Sequence, residues 1–120
     1  MINFKPIVYE CLCNCDIDRE QISVGYPSDW SIFPVIAYAE ENNITTIECE
    51  GVERIVNIRY RIDIWDKVST SDLTIQVDNE LTKIGLKRVY SADIAEPNGL
   101  QHKQLRYEGN VDVTKLKIYK

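Results

Sequence analysis

Apolar and polar residues alternate most regularly between Glu53 and Asp66, where Val56, Ile58, Tyr60, Ile62 and Ile64 interleave with Asn57, Arg59, Arg61, Asp63 and Trp65. A period of two is the signature of a strand with one face buried, and the polar opposite face points to antiparallel pairing. The stretch is long for a globular strand, a length that suits a sheet extending beyond its own subunit. Elsewhere the period lengthens. Phe4, Ile7, Val8, Cys11, Leu12 and Cys15 recur at three- and four-residue spacing, which predicts a helix from Asn3 to Asp16 with Asn3 as cap and Pro6 in the first turn. Leu73, Val77, Leu81 and Ile84 predict a second helix from Ser69 to Ile84. Ser69 with Asp72 approximates a capping box there, and Gly85 stands where a helix stop is expected.

The remaining segments are read from turn chemistry and shorter patterns. Residues 16–30 are polar, contain Gly25 and Pro27, and predict a loop. Trp30 to Ala39 reads as a strand interrupted at Pro34, hence an edge or a bulge. Glu40 to Asn43 is a turn signal, and Ile44 to Cys49 is a short strand or an extended loop before Gly51. Leu86 to Ile94 predicts a strand, Glu96-Pro97-Asn98-Gly99 a turn, and Gln101 to Val113 a further strand with Leu105, Tyr107, Val111 and Val113 on one side. Leu116, Ile118 and Tyr119 continue as an extended C-terminal arm over 114–120. The order helix, strands, helix, strands predicts an α+β fold: one domain over 1–120, an antiparallel sheet of four to five strands, and two helices packed on one face.

Composition narrows the function classes more than the fold. The 120 residues are 44% hydrophobic and 28% charged, ordinary values for a globular domain. The net charge is -5, and no Lys/Arg run exceeds two neighbours, so specific nucleic-acid binding is not expected. Apolar runs are too short to span a bilayer, and the N-terminus lacks a signal-peptide layout, so the expected place of synthesis and assembly is the cytoplasm.

Candidate chemistry is sparse. Dinucleotide, phosphate-loop, zincin and nucleophile-elbow motifs are all missing, so neither catalytic residues nor a cofactor are expected. His102 is the sole histidine, stands beside Lys103, and reads as an exposed surface residue without a catalytic partner. Cys11, Cys13 and Cys15 form C-x-C-x-C, and Cys49 stands apart. Zinc sites favour C-x2-C spacing with a second ligand pair, so no metal is assigned, and Cys11 and Cys15 read as apolar residues of a helix face. Cys13 falls off that stripe. Asp63 and Asp66 flank Trp65 but point to opposite faces of the strand, so they do not converge; Asp63 is placed to pair with Arg61 or a strand neighbour, and Asp66 to open the turn into the helix. Glu40, Glu41, Glu48 and Glu50 read as solvated surface, or as an acidic edge that meets a basic patch on a neighbour or repels DNA from a channel wall.

Tyr60-Arg61-Ile62-Asp63-Ile64-Trp65-Asp66-Lys67 ahead of a polar helix start, and the ending His102-Lys103-Gln104-Leu105-Arg106-Tyr107-Glu108-Gly109-Asn110-Val111-Asp112, carry a resemblance. The chain is similar, over Ile55 to Asp112, to tail-terminator and tail-completion proteins of long-tailed phages and prophages. These combine a strand ending in an IDIW-like motif, a helix, a strand, and a last strand with an aromatic-x-Gly-x-hydrophobic pattern. The resemblance implies a virion structural protein rather than an enzyme. It implies a hexameric ring at the head-proximal end of the tail, which stops tube growth and presents a surface to the head connector. The implied partners are further copies of the chain, the tail tube protein, the tail sheath protein and the neck proteins, with DNA passing through the ring without sequence recognition and no membrane involved. A head–tail adaptor or stopper is the alternative within this class. A cysteine-based metal-binding or regulatory module is the alternative outside it. Trp30, Trp65, Asp63 and Tyr107 are the candidate subunit-interface residues; either Trp could equally cover its own core.

Overall fold

The alternating stretch forms the central strand of a six-stranded sheet, and the two amphipathic segments form the helices that cover one of its faces. A computed structural model describes residues 1–119. It orders them as α1 (Lys5–Cys13), a single 3-10 turn (Arg19–Gln21), β1 (Ile22–Val24), β2 (Val35–Cys49), β3 (Val52–Asp66), α2 (Ser71–Lys83), β4 (Lys87–Ile94), β5 (Gln101–Asp112) and β6 (Lys117–Tyr119). The architecture is α+β, with sheet order β1-β2-β3-β5-β4 and β6 paired to β5. Every pairing is antiparallel except β1 with β2, which is parallel.

The core sits between the helices and the sheet. Val56, Ile58, Tyr60, Ile62 and Ile64 of β3 and Leu105, Tyr107 and Val111 of β5 meet Val8, Cys11 and Leu12 of α1 and Leu73, Val77 and Leu81 of α2. Tyr60 and Tyr107 are wholly enclosed, yet each hydroxyl finds a carboxylate: Tyr60 donates to Glu40 at 2.8 Å and Tyr107 to Asp78 at 2.7 Å. Burial and the facing carboxylate both favour the neutral phenol and push these two tyrosines well above their ordinary value.

The helix ends differ in detail from the sequence reading. Phe4, not Asn3, occupies the N-cap of α1, and Pro6 lies in its first turn as expected. Thr70, not Ser69, is the N-cap of α2; the Ser69 hydroxyl instead accepts from the Ser71 amide at 3.2 Å. Gly85 follows α2 with φ 98°, and a Cβ there would lie 2.9 Å from Cβ of Ile118. Gly109 in β5 is equally crowded, its missing Cβ leaving room for Leu86 and Ile118.

The larger differences lie where polar residues are used inside strands. The polar stretch 16–30 is not all loop, since it contains the 3-10 turn and β1. Pro34 does not interrupt a strand: it precedes β2, joined to Phe33 by a cis peptide bond. Glu40 to Asn43 is no turn but the middle of β2. The register shifts between Glu40 and Asn42 opposite Tyr60 and Arg59, so Glu41 is the extra residue of a bulge. Ile44 to Cys49 therefore continues the same strand, and the reversal comes at Glu50-Gly51, whose φ angles of 54° and 77° suit a tight primed hairpin turn. The extended arm over 114–120 is also not found. The chain reverses after Asp112, and β6 pairs back onto Asn110, Val111 and Asp112, with Lys120 outside the described residues.

Candidate functional site

Side chains alternate across a strand, so the residues of β3 that do not face the helices populate the opposite face of the sheet. On that face the antiparallel register sets Trp65 beside His102, Asp63 beside Gln104, Arg61 beside Arg106, Arg59 beside Glu108 and Asn57 beside Asn110. At one end the segment before β2 folds over the sheet. Trp30 packs edge-on against Trp65 with ring centroids 5.1 Å apart, and Phe33 and Leu100 close a small second cluster around Val35, Ala37 and Trp65.

Beneath this aromatic cover lies a knot of polar groups. His102, 8% exposed, stacks on Trp65 at 4.3 Å. Its Nε2 lies 2.8 Å from Oδ1 of Asp63, and its Nδ1 lies 2.8 Å from Oε1 of Glu96. Both ring nitrogens are thus occupied by carboxyl groups of the same chain. Asp63, 4% exposed, also accepts from Nε of Arg61 at 2.8 Å and from Nε2 of Gln104 at 3.0 Å. Glu96 accepts from the Trp65 indole at 3.2 Å. The knot ties β3, β5 and the β4–β5 connection together. Neither imidazole nitrogen is left to take a proton from a bound molecule, so the arrangement suits a structural pin better than acid–base chemistry.

Along the middle of the face, Glu41 gathers cations from two strands. Arg106 Nε lies 2.9 Å away, Arg59 3.7 Å and Arg61 3.9 Å. Arg106 also covers the Tyr90 ring at 4.8 Å, and Glu108 reaches Arg59 at 3.5 Å. These groups are partly solvated, so each pair adds little to stability singly, but together they hold an ordered charged surface. Beyond them Asn42, Asn57 and Asn110 form a hydrogen-bonded ladder across β2, β3 and β5, with contacts of 2.7 and 3.2 Å. Toward the tip of the β2–β3 hairpin Ile44, Ile47 and Val52 are exposed, although β5 pairs with β3 as far as Ile55.

The predicted interface residues are distributed unevenly. Trp30 is 43% exposed and remains on the surface. Trp65 and Asp63 are buried by their own chain, inside the small cluster and the polar knot. Tyr107 is fully enclosed on the other face of the sheet and offers nothing to a partner, because its position alternates toward the helices. His102, read from the sequence as an exposed residue without a partner, is buried with two carboxylates; Glu96 reaches it from a turn whose path the strand pattern does not specify. Sequence reasoning also missed the charge cluster at Glu41, because a turn was expected there. The signal was present in Arg59 and Arg61, two residues apart on the polar side of β3.

The cysteines divide by burial. Cys11 and Cys15 lie in the main core as expected of a helix face; burial raises both thiols, Cys15 to about 11. Cys13 packs partly against the core rim and Cys49 is exposed at the hairpin tip. Among the described residues no group of three or more His, Cys, Asp or Glu side chains is placed to hold a metal ion, and no helix is long and apolar enough to cross a membrane. No protein-family model matches the chain, and no curated protein matches it in sequence.

Proposed function

We propose that this chain is a structural, non-catalytic subunit of a tailed-phage particle, of the tail-terminator or tail-completion kind. In this reading, copies of the chain form a ring at the head-proximal end of the tail, stop growth of the tail tube and present a surface to the neck. The observation that carries the reading is the segment Ile55 to Asp112, whose motifs coincide with one continuous unit, β3-α2-β4-β5. Within it the motif residues have identifiable work. Asp63 and Trp65 of the IDIW stretch bind His102 at the start of the last strand. Tyr107 fills the core, and Gly109 leaves space for Leu86 and Ile118. The long β2–β3 hairpin, with exposed Ile44, Ile47 and Val52 and acidic residues toward its tip, supports an assembly role.

Deletion of the gene from its phage or prophage, followed by electron microscopy of the particles, tests the proposal. Tails of uncontrolled length and free filled heads are the expected products. Finished tails of uniform length beside unattached filled heads would point instead to a head–tail adaptor. Normal infectious particles would refute both.

A further inference from the structure

The sheet is open along both of its outer edges, and the two edges carry opposite charge. On one side, β1 covers β2 only at Ile36, Ala37 and Tyr38, and no described strand flanks β2 from Ala39 to Cys49. On the other side, β4 covers β5 from His102 to Glu108, and β6 continues the same line from Asn110 to Asp112. No described strand lies outside either of them. Long exposed edges are usually shortened, twisted away or covered, because their unpaired amides and carbonyls recruit other chains.

The chemistry of the two edges is complementary. The hairpin tip exposes Glu48 and Glu50 and also carries Glu53, and Arg54 is the sole cation between Ala39 and Ile58. The β4–β6 side exposes Lys87, Arg88, Lys115 and Lys117, although the chain as a whole carries a net charge of -5. Arg88 is paired with Asp78 at 2.9 Å and Asp93 lies toward the far end of β4, so the positive end of this edge is the one beside β6. Each edge also exposes large apolar side chains: Ile44, Ile47 and Val52 on the hairpin, Val89 and Tyr90 on β4.

We propose that the acidic β2–β3 hairpin of one copy docks along the basic β4–β6 edge of a second copy, so that the sheet continues from chain to chain. The contact is heterologous, joining two different patches of the same subunit, and such a contact propagates until rotation closes a ring. Strand addition supplies main-chain hydrogen bonds, and the charge pattern fixes which end of the edge the tip meets. The inference deepens the assembly role proposed above, but it can fail independently of it.

Sedimentation velocity on the full-length protein, at low and at high salt, reads the contact. The wild-type chain should associate at low salt and dissociate as salt screens the charges. The exposed substitutions Glu48→Lys with Glu50→Lys should raise the dissociation constant by roughly tenfold or more, and Lys87→Glu with Lys117→Glu should do the same. Mixing these two variants should restore assembly, in alternating one-to-one stoichiometry, because each then presents the charge the other lacks. Circular dichroism checks that both variants fold, and the milder Glu48→Gln with Glu50→Gln keeps the test available should the reversal unfold the tip. A wild-type chain that stays monomeric at its highest soluble concentration in low salt overturns the proposal. So does an assembly that survives both reversals, or a mixture that fails to reassemble. In the surviving-assembly case the copies join through another face, and the phage role stands or falls on the deletion experiment alone.

Discussion

Replacing Asp63 by Ala tests whether the polar knot on the helix-free face holds the sheet together. The carboxyl group is 4% exposed, lies 2.8 Å from His102 Nε2, and accepts from Arg61 at 2.8 Å and Gln104 at 3.0 Å. Removing it leaves the His102 ring with Glu96 alone as a hydrogen-bond partner, in a site closed by Trp65. Arg61 recovers most of its loss, because it is partly solvated and Glu41 lies 3.9 Å away, so its share is discounted. The cost therefore rests on His102 and Gln104. Leaving a buried hydrogen-bonding group without its partner costs about 1–3 kcal/mol, and His102 and Gln104 together argue for a total near 3 kcal/mol. A loss of about 3 kcal/mol corresponds to a fall of roughly 10–15 °C in the midpoint of thermal unfolding for a domain of this size. Urea unfolding followed by tryptophan fluorescence suits the measurement, since Trp65 stacks directly on the knot. The double variant with His102→Ala should be less destabilised than the sum of the two single variants, by about 1–2 kcal/mol, because each single variant already breaks the shared contact. A loss below about 0.5 kcal/mol for Asp63→Ala, or strictly additive losses, would refute the argument.

Further outcomes follow from the core, the tight glycines and the thiols. Tyr107→Phe keeps the ring but removes the bond to Asp78, and urea unfolding should show a loss of about 1 kcal/mol, partly relieved by the Arg88–Asp78 pair. Gly85→Ala forces a side chain into φ 98° and to within 2.9 Å of Ile118, so thermal unfolding should record a loss of at least about 2 kcal/mol. With a thiol reagent near neutral pH, Cys49 should react first, and Cys11 and Cys15 only as the chain unfolds, since burial holds them in the less reactive protonated form. The same burial makes stability fall in alkali. Cys15 keeps its proton in the folded state to about 11 but loses it near 9.0 when unfolded, so its contribution is complete below that lower value and disappears as pH rises toward the upper one. Tyr60 and Tyr107, also raised, act in the same direction, and Cys15→Ala should flatten the early part of the decline.

What could be read from the sequence followed the rule that periodicity reports burial, and the departures followed the same rule. β3 and α2 were legible to within a few residues because each buries one face along most of its length, so the inward positions from Val56 onward in β3 and along α2 are marked apolar. β2 was not, because its distal half buries little: with solvent or charged partners on both faces, Glu40 to Asn43 kept no alternation and resembled a turn. In the fold those residues satisfy each other across strands, Glu40 with Tyr60, Glu41 with Arg106 and Asn42 with Asn57. β1, only Ile22 to Val24, is too short to display a period and is set by its parallel pairing with β2. The knot at Asp63 was half legible. Its pairing with Arg61 follows from spacing along one strand, whereas His102 lies 39 residues away and becomes a neighbour only through the register of β3 with β5. Tyr107 makes the reverse point. Aromatic residues are favoured both at interfaces and in cores, and the alternation that put Tyr107 with Leu105 and Val111 should have decided for the core. The same logic bears on assembly. Exposed Ile44, Ile47 and Val52, toward the tip of the β2–β3 hairpin, carry an apolar pattern that the subunit itself does not bury. A pattern left unburied by the subunit is accounted for when a second chain covers it, so the part of the sequence hardest to read as a fold is the part where an interface is expected.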